Sequence, residues 1–351
     1  MKKNTRREFL VKGAVATGVA VAASTGTAVF QTPAAFAREL RTDGAGKLVA
    51  VECSKAMKSL NKENAAIVGR MTNQALKHFS GKRTVVKAWR DFIHPSDTVG
   101  IKLNCLASPN LGTSPAMVHA IVRGLQALGI PNERIILYEQ YKDQLVRRGS
   151  GFALNDDPGK GPIVMHLGEK SHLTDGGLIG YEKTASKHHS GPSHYSNMLK
   201  HCSALINVPV IKDHSLAGVT VAMKNMTHGN INNPHHYHKH DCNPQIADIY
   251  DHPLIKDKVR LTVCDGLRVL YDGGPQDNNR FKVLHNRIYV TTDAVALDSW
   301  GFEIIEELRK KHGKPSLHER HPTGSYLARA EKLGLGVADR KKIELKVHQL
   351  S

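Results

Sequence analysis

Apolar residues recur along the chain in two patterns, short buried-strand runs and longer segments with helical spacing. The strand-like runs are rich in Val, Ile and Leu, and several end at a polar residue or a glycine. The predicted strands cover residues 97–105, 133–139, 161–167, 203–211, 258–267, 286–293 and 341–350. The predicted helices cover residues 61–81, 114–130, 215–226, 243–253, 293–313 and 323–336.

A strand, a helix and a strand follow one another between residues 97 and 139, which is the order of a βαβ unit. Such a unit implies parallel strands joined by a right-handed crossover. The predicted fold is therefore α/β, with a mostly parallel sheet flanked by helices. Residues 186–196 and 223–244 are polar, turn-rich and rich in histidine, so we expect an irregular histidine-rich insertion in this fold.

The first 37 residues have the pattern of a secretory signal. A basic start that includes Arg6 and Arg7 precedes an apolar run, and Ala35 and Ala37 form an A-x-A cleavage pattern. The paired arginines resemble the twin-arginine class of export signals. The apolar run is short and rich in small residues, which does not favour a spanning helix, although a retained anchor is the alternative.

Four expectations follow from this signal. The partner in export is the twin-arginine machinery, which carries folded proteins, often with a cofactor inserted. Cleavage near Ala37 leaves a periplasmic or otherwise exported protein with no stable membrane span. Residues 38–351 then form a single α/β domain.

Charge and cysteine content narrow the classes of partner and cofactor. The formal net charge is +17, and about +13 once the five basic residues and one acidic residue of the signal are removed. This charge is spread along the chain, which suits an anionic partner, such as a cell-wall polymer, an acidic redox protein or an anionic small-molecule substrate with a phosphate group, while a generally basic surface is the alternative. Nucleic acid is not an expected partner in the periplasm. The five cysteines include no C-x-x-C pair, so no intrinsic iron–sulfur cysteine motif is predicted.

Polar side chains lie at the ends of several predicted strands, where ligands bind in open α/β sheets. They are Asn104, Lys212, Asp213, His214, Asp265 and Asp293, and Lys224 and Asn225 end the segment after His214. We predict that these groups converge on one cleft. The alternative is that they only form turns and caps, and Asp293 in particular has the position of a helix N-cap.

Histidine is concentrated in "MKNMTHGNINNPHHYHKHDCNP", residues 223–244. His236, His238 and His240 alternate, so an extended segment would place all three imidazoles on one side. On a helix, His236 and His240 would share a face. Either arrangement suits a transition metal, without distinguishing zinc, iron, copper and nickel. The alternative is a solvated loop. Cys242 lies inside this stretch, whereas Cys105 and Cys264 end apolar runs and are predicted to be buried.

Several segments resemble, in order, the family known as domain of unknown function 362. "LINVPVIKDHSLAGVTVAMKNM", "VCDGL" and "VTTDAVALDSWGFEII" carry the resemblance, which covers about residues 95–340. Many members of the family have ferredoxin-like cysteines, which this chain lacks. The family motif positions match Lys212, His214, Lys224, Asn225, Asp265, Asp293 and Asp298. A further family histidine matches His240, with His238 as the alternative.

These observations predict an exported metal-dependent enzyme of unassigned activity, with redox chemistry and hydrolysis or isomerisation both open. The predicted metal ligands are His214, His240, His238 and His236. The predicted catalytic residues are Lys224, Asn225, Asp265 and Asp293, and the predicted cofactor-binding residues are Lys212 and Asn104. The alternatives are a non-catalytic periplasmic metal-binding or metal-delivery protein, and a cell-envelope binding module that uses the positive charge.

Overall fold

The computed structural model describes residues 44–175, 177–321 and 325–350. The predicted signal, residues 1–37, lies outside this part of the chain. None of the helices in the described ranges is long and apolar enough to cross a bilayer.

The strands are numbered in chain order. They are β1 (Lys47–Glu52), β2 (Met57–Ser59), β3 (Lys62–Glu63), β4 (Val99–Lys102), β5 (Ile135–Glu139), β6 (Ile163–His166), β7 (Leu173–Thr174), β8 (Tyr181–Glu182), β9 (Ser186–His188), β10 (Gly191–Ser193), β11 (Ala204–Asn207), β12 (Val210–His214), β13 (Gly218–Thr220), β14 (Val259–Leu270), β15 (Lys282–Thr291) and β16 (Glu344–Gln349).

The helices are numbered in the same way. They are α1 (Ala65–Ser80), α2 (Val85–Arg90), α3 (Pro115–Ala127), α4 (Lys142–Leu145), α5 (Asn197–His201), α6 (Ala222–Thr227), α7 (Gln245–Tyr250), α8 (Pro253–Lys256), α9 (Ala294–Lys311), α10 (Leu317–Arg320) and α11 (Ser325–Lys332).

One mostly parallel sheet of ten strands organises the described chain, which confirms the predicted fold class. Its order is β16-β1-β15-β14-β11-β4-β5-β6, and β12 pairs with β14 and β13. The antiparallel members are β15, against β1 and β14, and β13, against β12. The first part of the long strand β14 pairs with β11, and its later part pairs with β12. The two shorter strands, β11 and β12, therefore follow one another along β14.

Helices cover both faces of the sheet because side chains alternate along each strand. In β1, Leu48 and Ala50 join the core cluster that includes α9, whereas Val49 and Val51 join the cluster that includes α1 and α3. A side-chain cap marks the start of α3. Ser114 accepts a hydrogen bond from the Met117 N–H (3.1 Å) at the start of α3.

Two predicted elements are corrected by the structure. The predicted strand 203–211 divides into β11 and β12, and the Asp265 N–H bonds the carbonyl of Pro209 at the break (2.8 Å). The predicted helix 215–226 is instead a hairpin, β12–β13, followed by the short helix α6. Gly218 has a φ of 76°, a left-handed conformation that glycine adopts without strain, and it begins the returning strand.

Candidate metal centre

A network of buried amides joins the strand ends predicted to form a cleft. The Asn104 side chain donates from Nδ2 to Asn225 Oδ1 (3.2 Å). Asn225 in turn donates to Asn207 Oδ1 (2.8 Å), and Lys212 Nζ donates to Asn104 Oδ1 (3.3 Å). The structure therefore brings together three of the residues predicted from strand ends, namely Asn104, Lys212 and Asn225.

Sequence reasoning missed one member of this network, Asn207, and an ion pair that acts electrostatically on Lys212. Asn207 lay inside a run treated as one continuous apolar strand, so its position at the end of β11 was hidden. A buried ion pair joins Lys102 Nζ at the end of β4 to Glu139 Oε1 at the end of β5 (2.7 Å). The sequence signal for this ion pair was the charged residue at the end of each of these two buried strands.

Two lysines of the site are buried without a carboxylate partner. Lys212 is fully buried, and burial lowers its pKa to about 7. Lys224 is also buried, and burial lowers its pKa to about 8. Neither lysine forms an ion pair within the described ranges, in contrast to Lys102. Without a carboxylate at ion-pair distance, burial disfavours the charged form of both lysines, and a bound anion would restore it.

Three potential metal ligands meet directly beside Lys224. His228, His238 and Cys242 each offer one ligand atom, and these atoms all lie within 4.8 Å of one another. The described residues contain no other such group of three. The ligands lie along three successive 3₁₀ turns, which span His228–Asn230, Pro234–Tyr237 and His240–Cys242. His228 begins the first turn, His238 directly follows the second, and Cys242 ends the third. The turns fold the histidine-rich segment back on itself.

The hydrogen bonds of the two imidazoles define which nitrogens carry protons. His238 Nδ1 donates to the Pro234 carbonyl (2.9 Å), which leaves the Nε2 lone pair facing Lys224 Nζ (2.9 Å). His228 Nε2 donates to the Tyr237 carbonyl (3.2 Å). Burial lowers the pKa of His238 to about 4 and the pKa of His228 well below its usual value. Both rings are therefore neutral at pH 7, the form that binds metal ions.

The donor set fits a transition metal. Two imidazoles and a thiolate suit zinc, copper, nickel or iron, whereas magnesium and calcium prefer oxygen ligands. Tetrahedral zinc with ordinary bond lengths separates its ligand atoms by about 3.3–3.6 Å. A cluster already within 4.8 Å needs only small side-chain shifts to reach that geometry. Three protein ligands also leave one position for water or a substrate, as in catalytic zinc sites.

His214, a predicted ligand, lies against this cluster but is not one of its three members. Its ring stacks on His238, with centroids 5.4 Å apart and an interplanar angle of 16°. Its Nδ1 accepts the backbone N–H groups of Leu216 (3.1 Å) and Ala217 (3.2 Å). Burial lowers the pKa of His214 to about 2, so the ring is neutral with its proton on Nε2. Its ligand role stays a prediction.

Of the other three predicted ligands, one belongs to the cluster, namely His238. His236 and His240 are exposed to solvent and lie outside it. His228 was not predicted as a ligand, because it falls outside the alternating histidine pattern. Cys242 was singled out in the sequence by its neighbours, and its thiol is buried here. Burial raises the pKa of that thiol, while the nearby Lys224 ammonium lowers it.

The predicted catalytic aspartates accept hydrogen bonds from backbone groups and are not members of the cluster. Asp265 accepts the N–H groups of Ser114 (2.9 Å) and Leu267 (3.0 Å). Asp293 caps α9 by accepting the Ala296 N–H (2.8 Å), and its other oxygen accepts two more N–H groups. The catalytic roles of both residues stay predictions. All five cysteines are buried and unpaired, as expected for Cys105 and Cys264.

The fold and this site define an α/β protein with a candidate transition-metal centre at its strand ends. The chain belongs to the family described as domain of unknown function (DUF362), whose model matches residues 99–303.

Among solved structures, the lactate racemase apoprotein from Thermoanaerobacterium thermosaccharolyticum is similar to this chain at 12% identity and a TM-score of 0.40. The alignment covers 74% of this chain and 57% of that chain, so this protein spans little more than half the length of that neighbour. No curated protein matches the sequence.

Proposed function

We propose that this protein is an exported metal-dependent enzyme that acts on a small anionic molecule. The observation that carries the proposal is the meeting of His228, His238 and Cys242 within 4.8 Å, directly beside buried Lys224. Export through the twin-arginine route rests on the signal pattern of residues 1–37. The choice among zinc, iron, copper and nickel, and between redox chemistry and hydrolysis or isomerisation, stays open.

The three ligands would hold a metal ion that supplies Lewis-acid or redox chemistry at this point. The residues around them suit a substrate. Asn225 can donate to a substrate oxygen from the amide network. His214 has its proton on Nε2, so it can donate that proton in a hydrogen bond to a substrate oxygen.

The anionic character of the substrate is argued from Lys212 and Lys224. Buried charges in proteins are normally paired, because an isolated buried charge is costly. Other buried cations of this protein follow that rule, as Lys102 does with Glu139 and Arg309 with Asp272 (both 2.7 Å). Lys212 and Lys224 have only neutral partners, Asn104 and His238. A carboxylate or phosphate group of a substrate would be the missing partner.

The second candidate function is non-catalytic metal binding or metal delivery. Three exposed histidines, His235, His236 and His240, lie in the same segment as the buried ligands and favour this alternative. A delivery protein would use such exposed imidazoles to pass metal in and out. An enzyme needs only the buried ligands and would hold its metal without them.

Metal analysis of the protein matured through its own export signal tests the proposal. We expect wild type to contain about one transition-metal ion per chain, by the three-ligand chemistry above. Cys242→Ser and the double variant His228→Ala/His238→Ala should lose it. The matched control is His236→Ala/His240→Ala, which removes two exposed histidines of the same segment and should keep the metal.

Two results would overturn the enzyme proposal. A metal-free wild type would rule out both the enzyme and the delivery function. Loss of metal from the control His236→Ala/His240→Ala, with metal retained in the variants of the buried ligands, would show that the exposed histidines are the ligands. Delivery is favoured if the control keeps its metal but transfers it to a chelator much more slowly than wild type, since the exposed imidazoles would then carry the exchange.

A further inference from the structure

The backbone that carries Cys242 is unusual. His240, Asp241 and Cys242 are consecutive and have φ values of 51°, 58° and 58°. Side chains with a Cβ rarely adopt this left-handed region, and a run of three is rarer still. Elsewhere in the described chain, Asn286 is the one other non-glycine residue with a positive φ. Such strain persists only where the surroundings enforce it, and it is concentrated at functional sites.

Backbone hydrogen bonds alone do not explain how the turn is held. The Cys242 N–H bonds the Lys239 carbonyl (3.0 Å), and the Asn243 N–H bonds the His240 carbonyl (2.9 Å). Both bonds are local, so they could move with the turn as a unit. A contact from a distant, fixed part of the fold is needed to set its place.

His321 supplies that contact. Its Nδ1 lies 3.2 Å from Asp241 Oδ1, although the two residues are far apart in sequence. The ring is buried, and Asp241 is its acidic partner in the described parts of the chain. A Cβ added to Gly218 would lie 3.3 Å from this ring and 3.2 Å from the Phe302 ring, so the imidazole and the Phe302 ring of α9 both lie close against Gly218 of β13.

We propose that the Asp241–His321 pair is a positioning device for the metal centre. His321 is fixed by the core and anchors the Asp241 carboxylate. Asp241 in turn holds the left-handed turn, which brings the Cys242 sulfur to the two imidazoles. The pair acts through Cys242 and touches neither metal nor substrate. The proposal rests on the metal centre of the proposed function.

Two variants break the pair in different ways. Asp241→Asn keeps the size of the side chain and its tolerance of left-handed backbone, but removes the charge. His321→Phe keeps a ring in the core but removes both nitrogens. Glu303→Gln is the matched control, because it removes the carboxylate of another, solvent-exposed histidine pair, with His318 (3.7 Å).

Zinc affinity and the cobalt spectrum measure the effect on the centre. We expect both pair variants to bind zinc about 10–100-fold more weakly than wild type, the range found when a partner of a metal ligand is lost. In the cobalt form, the sulfur-to-metal charge-transfer band should weaken in both variants. The control should match wild type in both measurements. Thermal melting shows whether each variant is folded.

A second measurement needs no metal. Cys242 is buried in wild type, so iodoacetamide should modify it slowly, and faster in Asp241→Asn and His321→Phe than in Glu303→Gln. Wild-type zinc affinity, charge-transfer band and alkylation rate in the folded pair variants would overturn the positioning role. If wild type binds no metal, the proposed function fails, and the alkylation rate of Cys242 still decides whether the pair holds the turn.

Discussion

Lys224 lies between the candidate metal ligands and the amide network that we assign to the substrate. Its Nζ is 2.9 Å from His238 Nε2, the lone pair that a metal would need. A metal ion and the Lys224 ammonium therefore compete for one imidazole nitrogen, and their like charges repel. Lys224 should weaken metal binding, so we attribute its presence to the proposed anionic substrate.

Lys224→Met tests this division of roles. We expect the variant to bind zinc at least roughly tenfold more tightly than wild type, because the competitor and the repulsion are both removed. Inorganic phosphate, as a simple anion, should bind the variant more weakly than wild type. Competition with a chelator measures the first affinity, and calorimetry with phosphate measures the second.

The matched control for this prediction is Lys239→Met, which removes an exposed lysine from the same segment. It should change neither affinity by more than a small factor. Weaker zinc binding in Lys224→Met would contradict the competition and show that Lys224 supports the cluster instead.

Residue positions in this site were predictable only where strand ends determine them. Asn104, Lys212 and Asn225 converge because parallel strands end at one edge of the sheet. The ligand cluster depends on three successive 3₁₀ turns, which have no hydrophobic period in the sequence. An extended or helical segment would have grouped His236 with His240, but the turns leave both exposed and bring His228 to His238.

At the scale of elements, the helix α6 carries both Lys224 and Asn225 yet has only six residues. So short a helix is marginal by itself. Its N-terminus has no side-chain cap of its own and is held by Asp298 of α9, whose carboxylate accepts the N–H groups of Ala222 (2.6 Å) and Met223 (3.2 Å). The Tyr326 hydroxyl of α11 donates to the same carboxylate (2.8 Å).

Asp298→Asn should therefore affect both stability and the site. The asparagine amide has one acceptor oxygen where the carboxylate has two. One of the buried groups that donate to Asp298 therefore loses its partner, at a cost of about 1–3 kcal/mol of unfolding free energy. The displaced N-terminus of α6 should also move Lys224 and Asn225, which weakens phosphate binding. Urea denaturation and calorimetry measure the two effects.

A buried aspartate at another place in the fold controls for stability alone. Asp97 accepts the His94 N–H (2.8 Å) and the Ser203 hydroxyl (2.6 Å), before β4. Asp97→Asn should cost a similar stability and leave phosphate binding unchanged. Equal phosphate affinities in the two variants would show that Asp298 does not position α6.

The predicted helix over residues 215–226 shows why local pattern was insufficient here. The run "SLAGVTVAM" suits a buried strand and a buried helix equally well, because its apolar residues have no clear period. Pairing of Gly218–Thr220 with β12 decides the outcome, and that pairing places His214 and Lys212 beside the site. Tertiary contacts therefore determined an element that carries function.

For the whole molecule, the βαβ pattern correctly predicted a mostly parallel sheet but not its strand order. The antiparallel strand β15 lies between β14 and β1, and the closing strand β16 lies beside β1 at the sheet edge. These neighbours come from opposite ends of the chain. A local pattern does not contain such long-range pairing.

Burial also makes the whole protein sensitive to acid. Several histidines have pKa values that burial lowers from 6.5, to about 4 for His188, His238 and His285 and to about 2 for His214. Below pH 6.5 the unfolded chain takes up protons that the folded protein does not, so stability falls as the pH falls. Buried aspartates act in the opposite direction, because burial raises the pKa of Asp298 to about 7 and also raises the pKa values of Asp213, Asp265 and Asp293.

His285 isolates this effect, because it lies away from the metal centre and contacts the Tyr289 hydroxyl (2.6 Å). Between pH 7 and pH 5 its unfolded form becomes protonated while its folded form stays neutral, which costs at most about 1.4 kcal/mol per pH unit. The stability difference between wild type and His285→Gln should therefore shrink by up to about 2 kcal/mol over this range.

Urea denaturation of the metal-free protein at several pH values measures this change in the stability difference. His236→Gln, which removes an exposed histidine, is the control for the substitution itself. A constant difference between wild type and His285→Gln would contradict a neutral half-buried imidazole at this position.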